Sequence, residues 1–292
     1  MRPFTAEPGY SDDFVAVRDF LIRLNADEVR APGFLWGRWE WGFALPYLDT
    51  TSLDRIGVWE RDGRIVALAT YEQGLGDAWL VVDPDHRDLL TEMVDHAIDR
   101  LAKDGKVRIL VPDDDAELAD IVTSRGLVRT RWDEPNSVLD LTGDLGYELP
   151  EGFRVVSLAD EWDLRAFHRV MHRGFGHPGE PDYSEPELAW RLRSTSAPSQ
   201  RPDLQLLVEV PGGGYGAFCG IWVRPGCPYA MVEPVCTDPD LRRRGLGRAA
   251  VLEGARRARD LGATKAYVGS GQEFYLALGF QPIVGGTFWE TA

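Results

Sequence analysis

Two hexapeptides 155 positions apart constrain this chain more than any other feature: VDPDHR at Val82 to Arg87 and TDPDLR at Thr237 to Arg242. Each follows a run with strand character and precedes a run with helical periodicity. Two further pairs of words recur in the same order: KVRILV (Lys106 to Val111) with KAYVG (Lys265 to Gly269), and SRGLV (Ser124 to Val128) with ALGFQ (Ala277 to Gln281). Self-similarity in a fixed order marks a repeated supersecondary unit, and 292 residues are enough for two domains. The segment LTGDLGYELPEG, Leu141 to Gly152, is rich in Gly and Pro and lacks periodicity, so the boundary is expected there. The pattern predicts two tandem α/β domains, 1–145 and 146–292, each a mixed central sheet flanked by helices.

Charge separates the halves. Residues 1–145 hold 16 Lys+Arg against 29 Asp+Glu, and residues 146–292 hold 16 against 18, giving −13 and −2 of the total −15. An acidic first half repels phosphate backbones, so nucleic acid is not an expected partner and an anionic ligand belongs in the second half. No apolar run is long enough for a membrane span, and the N-terminus MRPFTAEPGYSDDF lacks the apolar stretch of a signal peptide, which predicts a cytoplasmic protein without a membrane partner. Cys219, Cys227 and Cys236 form neither a disulfide framework nor a paired zinc spacing.

In the second half, strands are expected at Phe153 to Leu158, Leu204 to Val210, Ala217 to Val223, Tyr229 to Thr237 and Lys265 to Val268. Helices are expected at Glu161 to Phe175, Glu185 to Arg193, Arg244 to Leu261 and Gln272 to Leu278. The strand ending at Thr237 runs into a turn whose glycines, Gly245 and Gly247, open a long helix. Glycine lets a backbone approach a ligand closely, and the first amides of a helix have no internal partner, so they face outward as anion donors. Arg242, Arg243, Arg244 and Arg248 place fixed positive charge at the same end. The competing reading pairs these arginines with Asp238, Asp240 or acids of the first half.

Gly245, Gly247 and Ala250 also spell the dinucleotide fingerprint G-x-G-x-x-A, but the acidic residue such a site needs about 20 positions on is missing. A P-loop is excluded, because no Lys-Ser or Lys-Thr follows the glycines. Arg242, Gly245 and Gly247 instead form R-x-x-G-x-G after a strand, which resembles the coenzyme A signature of the GNAT superfamily of acyl-CoA N-acyltransferases. Tyr275 to Phe280 (YLALGF) is similar to that superfamily's second motif, Y-x-x-x-G-F. The resemblance covers about residues 153–285, and the tandem arrangement resembles that of mycothiol synthase.

That resemblance implies acetyl-CoA as co-substrate, no metal, and a small-molecule or peptide amine as acceptor, in a monomer or homodimer. Backbone amides from Arg243 through Leu246 to Arg248 would hold the pyrophosphate. The strand Val235, Cys236, Thr237 would splay from its neighbour and bond the pantetheine, with one of its amides polarising the thioester carbonyl. Tyr275 would protonate the departing thiolate, and Glu233 would take the ammonium proton directly or through water. In the first half the glycines become Leu90 and Glu92, and Tyr275 corresponds roughly to Val122, which implies a degenerate, non-catalytic copy. A non-catalytic acyl-CoA sensor remains the alternative, and a nicotinamide or flavin protein is the less favoured one.

Two further clusters are weighed. His168 and His172, at i and i+4, lack a third metal ligand and are expected to be solvated, to cap, or to line the acceptor pocket. The aromatics Phe34, Trp36, Trp39, Trp41, Phe43 and Tyr47 are expected to pack a domain interface. Gly269-Ser270-Gly271 lacks the flanking glycines of a nucleophile elbow.

Overall fold

The computed structural model describes residues 1–7 and 9–292. The chain divides into two units: residues 1–137, 269–271 and 282–292, and residues 138–268 and 272–281. This differs from a division at 145, and the difference has a definite cause. The last strand leaves the second unit and completes the first.

The first unit contains β1 (Arg2–Pro3), α1 (Asp12–Leu24), α2 (Trp36–Ala44), β2 (Gly57–Arg61), β3 (Arg64–Thr70), β4 (Asp77–Val82), α3 (Leu90–Arg100), β5 (Arg108–Pro112), α4 (Ala116–Ser124) and β6 (Leu127–Asp140), the last three residues of β6 belonging to the second unit. The second unit contains β7 (Arg154–Ser157), α5 (Leu164–Gly174), α6 (Glu185–Arg193), β8 (Gln205–Glu209), β9 (Tyr215–Trp222), β10 (Tyr229–Thr237), α7 (Leu246–Asp260), β11 (Lys265–Val268) and α8 (Glu273–Leu276). The final strand, β12 (Gln281–Thr291), pairs antiparallel with β5, setting Thr287 against Val111.

The expected repeat is visible in the ladders. In the first unit β2, β3 and β4 form an antiparallel meander and β4 then runs parallel to β5, with Asp77 against Arg108. In the second, β7, β8, β9 and β10 are antiparallel and β10 runs parallel to β11, with Tyr229 against Lys265. Both are mixed sheets with helices, as predicted. In each, the strand of the repeated hexapeptide leads through a short 3-10 turn, Pro84–Leu89 or Pro239–Leu241, into the following helix.

The α7 stripe packs on one face of the second sheet, where Leu246, Ala250, Val251 and Ala255 meet Leu206, Ile221 and Val232. Its small residues let the helix lie close, and a Cβ on Gly254 would come within 2.5 Å of Ile221 Cγ1. On the opposite face Phe167, Val170 and Met171 of α5 pack with Leu207, Phe218 and Cys236. Asp163 starts α5 by accepting from the amides of Arg165 and Ala166.

The aromatic cluster corrects one expectation. Trp39 and Phe43 pack against Phe4 and Phe14, and the Trp39 indole donates to the Phe14 carbonyl, so these rings build the first unit's own core.

Candidate active site

β10 pairs with β11 only as far as Met231 against Tyr267, whereas its pairing with β9 continues to Thr237. One edge of its last residues therefore faces an open cleft. The Asp238 amide donates to Gly216 O. Antiparallel alternation then turns the Val235 and Thr237 amides toward the open edge.

The cleft holds about 640 Å³ and is lined by Val235, Cys236 and Thr237 from β10, by Arg242, Arg243, Gly245, Leu246, Gly247 and Arg248 from the turn and the start of α7, by Gly174 at the end of α5, and by Gln272, Phe274, Tyr275, Ala277 and Leu278. Of the residues expected to bind the cofactor, only Arg244 is outside this lining. It is exposed on the same turn.

The turn has the backbone an anion site needs. Gly245 is left-handed with φ 81°, and so is Arg243 with φ 64°, an unusual conformation for a side chain with a Cβ. The helix begins at Leu246 rather than at Arg244, because Gly245 is its N-cap. Its first bond is Ala249 N to Gly245 O at 2.9 Å, and no side chain caps the end, so the amides of Leu246, Gly247 and Arg248 remain available. A Cβ on Gly247 would sit 2.9 Å from Thr237 Oγ1 and 3.3 Å from Phe274 Cζ. Only glycine leaves the cradle between turn and strand unfilled.

The arginines do not pair with the acids beside them. Arg242 donates to the carbonyls of Thr237 and Gly174, each at 3.4 Å, and Arg248 to the Ala277 carbonyl at 3.3 Å. Asp238 and Asp240 are both taken by Arg173, from the last turn of α5. The competing reading of the arginine cluster is thus overturned as regards these two acids.

Tyr275 is a buried residue in the lining of the cleft. Its ring packs edge-on against Phe274 and Phe280, with centroids 4.9 and 5.5 Å apart, while its hydroxyl has no hydrogen-bond partner among the described residues. Burial, reinforced by Cys219, Glu233 and Cys236 nearby, holds this phenol well above its ordinary pKa, so it is a proton donor at neutral pH. Its helix spans only Glu273–Leu276, shorter than the expected Gln272 to Leu278.

Glu233 is not among the residues that line the cleft. The register slips between Val232 and Val235, so Glu233 and Pro234 together oppose Gly220, and the Glu233 carbonyl accepts from the Trp222 indole at 2.7 Å. Counting back by twos from Val235 therefore does not set the direction of this side chain, because the bulge resets the alternation. Cys236 turns its thiol toward Val170 and Met171, and burial pushes its pKa up to about 12.

His168 is buried with Arg191 Nε 3.4 Å from its Nδ1, and His172 faces the Gly179 carbonyl at 3.1 Å. Burial, and then the positive charge of Arg191, lowers the His168 pKa. Among the described residues, no group of three or more His, Cys, Asp or Glu could hold a metal ion, and no helix is long and apolar enough to cross a membrane.

The corresponding place in the first unit is built differently. α3 starts at Leu90 without a glycine cap, and Arg87, the counterpart of Arg242, binds Asp115 at 2.6 Å and Glu117 at 2.7 Å at the start of α4. Sequence reading missed Arg173 and Gly174. The basic last turn of the α5 helix was the available signal, but its partner lies 65 residues away.

Residues 164–280 match the acetyltransferase (GNAT) family. No curated protein matches the chain. Among solved structures, a tandem GNAT protein from the clavulanic acid biosynthesis pathway, in a form without acetyl-CoA, is similar over 99% of this chain and 97% of its own, at 15% identity and a TM-score of 0.63. A GCN5-related N-acetyltransferase from Sphaerobacter thermophilus is similar over 99% and 94%, at 18% identity and a TM-score of 0.61. Another from Kribbella flavida is similar over 77% and 85%, at 19% identity and a TM-score of 0.50. The family match runs from the start of α5 to the end of the YLALGF motif, so the second unit carries a GNAT acetyltransferase domain, and over its whole length the chain shares the fold of a tandem GNAT protein.

Proposed function

We propose that the second unit transfers an acetyl group from acetyl-CoA to a primary amine of a small molecule or peptide by direct attack, and that the first unit is a non-catalytic copy. The observation that carries this reading is the cleft itself: an open strand edge, uncapped helix amides and carboxylate-free arginines meet in one cavity, with an unpartnered phenol in its lining. The diphosphate fits the amides of Leu246, Gly247 and Arg248 with Arg242, Arg243 and Arg248 around it, and Arg244 adds long-range charge. The pantetheine amides fit the outward amides of Val235 and Thr237, and the same edge supplies a donor to the thioester carbonyl oxygen.

An alkyl ammonium has a pKa near 10, so it must lose a proton before attacking. Glu233 takes that proton, directly or through a water, and the free amine nitrogen forms its bond to the acyl carbon. As the C–S bond breaks, Tyr275 Oη gives its proton to sulfur, the nitrogen of the new amide releases its second proton to solvent, and solvent re-protonates the phenolate. The nearness of Glu233 to Tyr275, felt in the raised pKa of the phenol, supports placing the two groups around one reacting centre. In the first unit Arg87 spends its charge on Asp115 and Glu117, and Glu92 stands where the second unit has Gly247, which supports a copy that does not bind the nucleotide.

Calorimetry with coenzyme A on the wild type and on Gly245→Glu tests the site. Binding by the first and none by the second is expected; equal affinity refutes the site. Turnover of acetyl-CoA with a panel of amines tests the reaction, and saturable binding with no thiol release from any amine would favour the sensor reading.

A further inference from the structure

The chemistry of the TDPDLR turn contains a conflict. It brings the carboxylates of Asp238 and Asp240 within a few residues of four arginines whose use requires that they not be neutralised. Two carboxylates near a diphosphate would repel it, and they would also be the nearest partners for Arg242. Arg242 pairs with neither of them; Arg173 Nε and Nη2 instead grip Asp238 at 2.8 and 3.1 Å, and Nη2 also meets Asp240 at 2.5 Å. The Asp238 side chain is only 4% exposed. Burial alone would push its carboxyl up, but Arg173 and the Asp240 amide hold it below its ordinary range, so it is charged and already satisfied. The Arg173 pKa is correspondingly raised by the bond to Asp238.

The first unit lacks this arrangement. There Asp83 and Asp85 repeat the acidic step, and Asp83 caps the Asp85 amide as Asp238 caps that of Asp240. No arginine from α1 reaches them; Arg23, at its end, donates to the Ile65 carbonyl instead. The motif arginine of that copy, Arg87, pairs with Asp115 and Glu117 at the start of α4 and not with Asp83 or Asp85.

We propose that Arg173 is a positioning residue for the nucleotide: by occupying Asp238 and Asp240 it converts an acidic turn into an anion site and leaves Arg242 to the diphosphate. This rests on the acetyl-CoA reading above. Gly174, the next residue, shows that the contact is built closely, since a Cβ there would lie 2.7 Å from Cys236 Sγ and 3.3 Å from the Thr237 nitrogen. The α5 terminus thus shapes the same cleft with its backbone and its charge.

The test separates charge from structure. Arg173→Gln should weaken coenzyme A binding by calorimetry about tenfold or more, a loss of roughly 1.4 kcal/mol per tenfold. It should leave kcat/KM for S-acetylpantetheine, which has the thioester but no diphosphate, within about twofold. Asp238→Asn with Asp240→Asn keeps an oxygen to cap the turn while removing both charges. Added to Arg173→Gln it should restore coenzyme A binding to within about threefold of wild type, and with Arg173 intact it should bind at least as tightly as wild type. Coenzyme A binding by Arg173→Gln equal to wild type, or a triple variant as weak as Arg173→Gln, would overturn the proposal, as would weaker binding by the double Asn variant. If the wild type itself fails to bind coenzyme A, the underlying reading falls and takes this one with it.

Discussion

Replacing Tyr275 by Phe tests the proposed chemistry with little structural disturbance. The ring contacts to Phe274 and Phe280 survive the change, and the lost hydroxyl has no protein partner to leave behind. Stability should therefore stay within about 0.5 kcal/mol, or about 1–2 °C in melting temperature for a unit of this size. The catalytic effect is of a different order. General acid help is worth about 10² to 10⁴-fold, and a donor is most effective when its pKa lies near the working pH. Here burial raises the phenol above its ordinary value, whereas the departing thiol has a pKa near 8.5, so proton transfer runs uphill and the lower end applies. A fall in kcat of about 10²-fold, near 2.7 kcal/mol, is expected. Coenzyme A affinity should be nearly unchanged, because the hydroxyl lies at the acyl end.

The pH dependence follows from the same shift. A phenol whose folded pKa is raised stays protonated through neutral pH, so Tyr275 should contribute no falling limb to the rate below about pH 10. Its contribution to stability is complete below the unfolded pKa near 10 and is lost as pH rises above it. Single-turnover release of free thiol, followed by a colorimetric disulfide, isolates the chemical step. If Tyr275→Phe retains more than half of the wild-type rate with chemistry limiting, bulk water supplies the proton and the assignment is wrong.

One substitution and one labelling experiment probe the scaffold. Gly254→Ala sets a methyl 2.5 Å from Ile221 Cγ1 and 3.3 Å from Leu206 Cδ2, and should destabilise by about 1–2 kcal/mol in urea unfolding despite the better helix propensity of alanine; a more stable variant would show that the α7 and β9 packing is looser than described. Cys236, buried and with its thiol pushed up to about 12, should resist iodoacetamide at pH 7.5 in the native protein and react only on unfolding, as judged by peptide mass; rapid native labelling would contradict its packing against Met171.

The parts of the site that were legible in the sequence are those whose chemistry is local. Gly245 and Gly247 are required by the turn in which they stand, and Arg242 and Tyr275 lie in short motifs whose spacing is set by one helix and one strand. β10 and β11 have the expected bounds because short apolar runs between turn residues leave little freedom. Most of what escaped reading depends on distant partners. Nothing near Asp238 announces that its cation comes from α5, whereas the bulge opposite Gly220 had a local signal in Pro234, which cannot donate to the ladder and went unread. The aromatic run read as interface packing, and the contacts of Trp39 with Phe4 and Phe14, both on other elements, place it in the first unit's own core instead.

The path of the last eleven residues governs how the polypeptide can be made. β5 lacks its antiparallel neighbour until residues 282–292 have been synthesised, so the first unit waits, with an open edge, for the whole of the second to emerge. Pairings separated by most of the chain close the largest loops and form slowly, and an unpaired edge in the interval is a template for other nascent chains. The two units are therefore successive in sequence but not in folding: the half translated first is the half finished last, and a cut at the Gly- and Pro-rich segment near 145 would yield two fragments of which neither holds a complete set of strands.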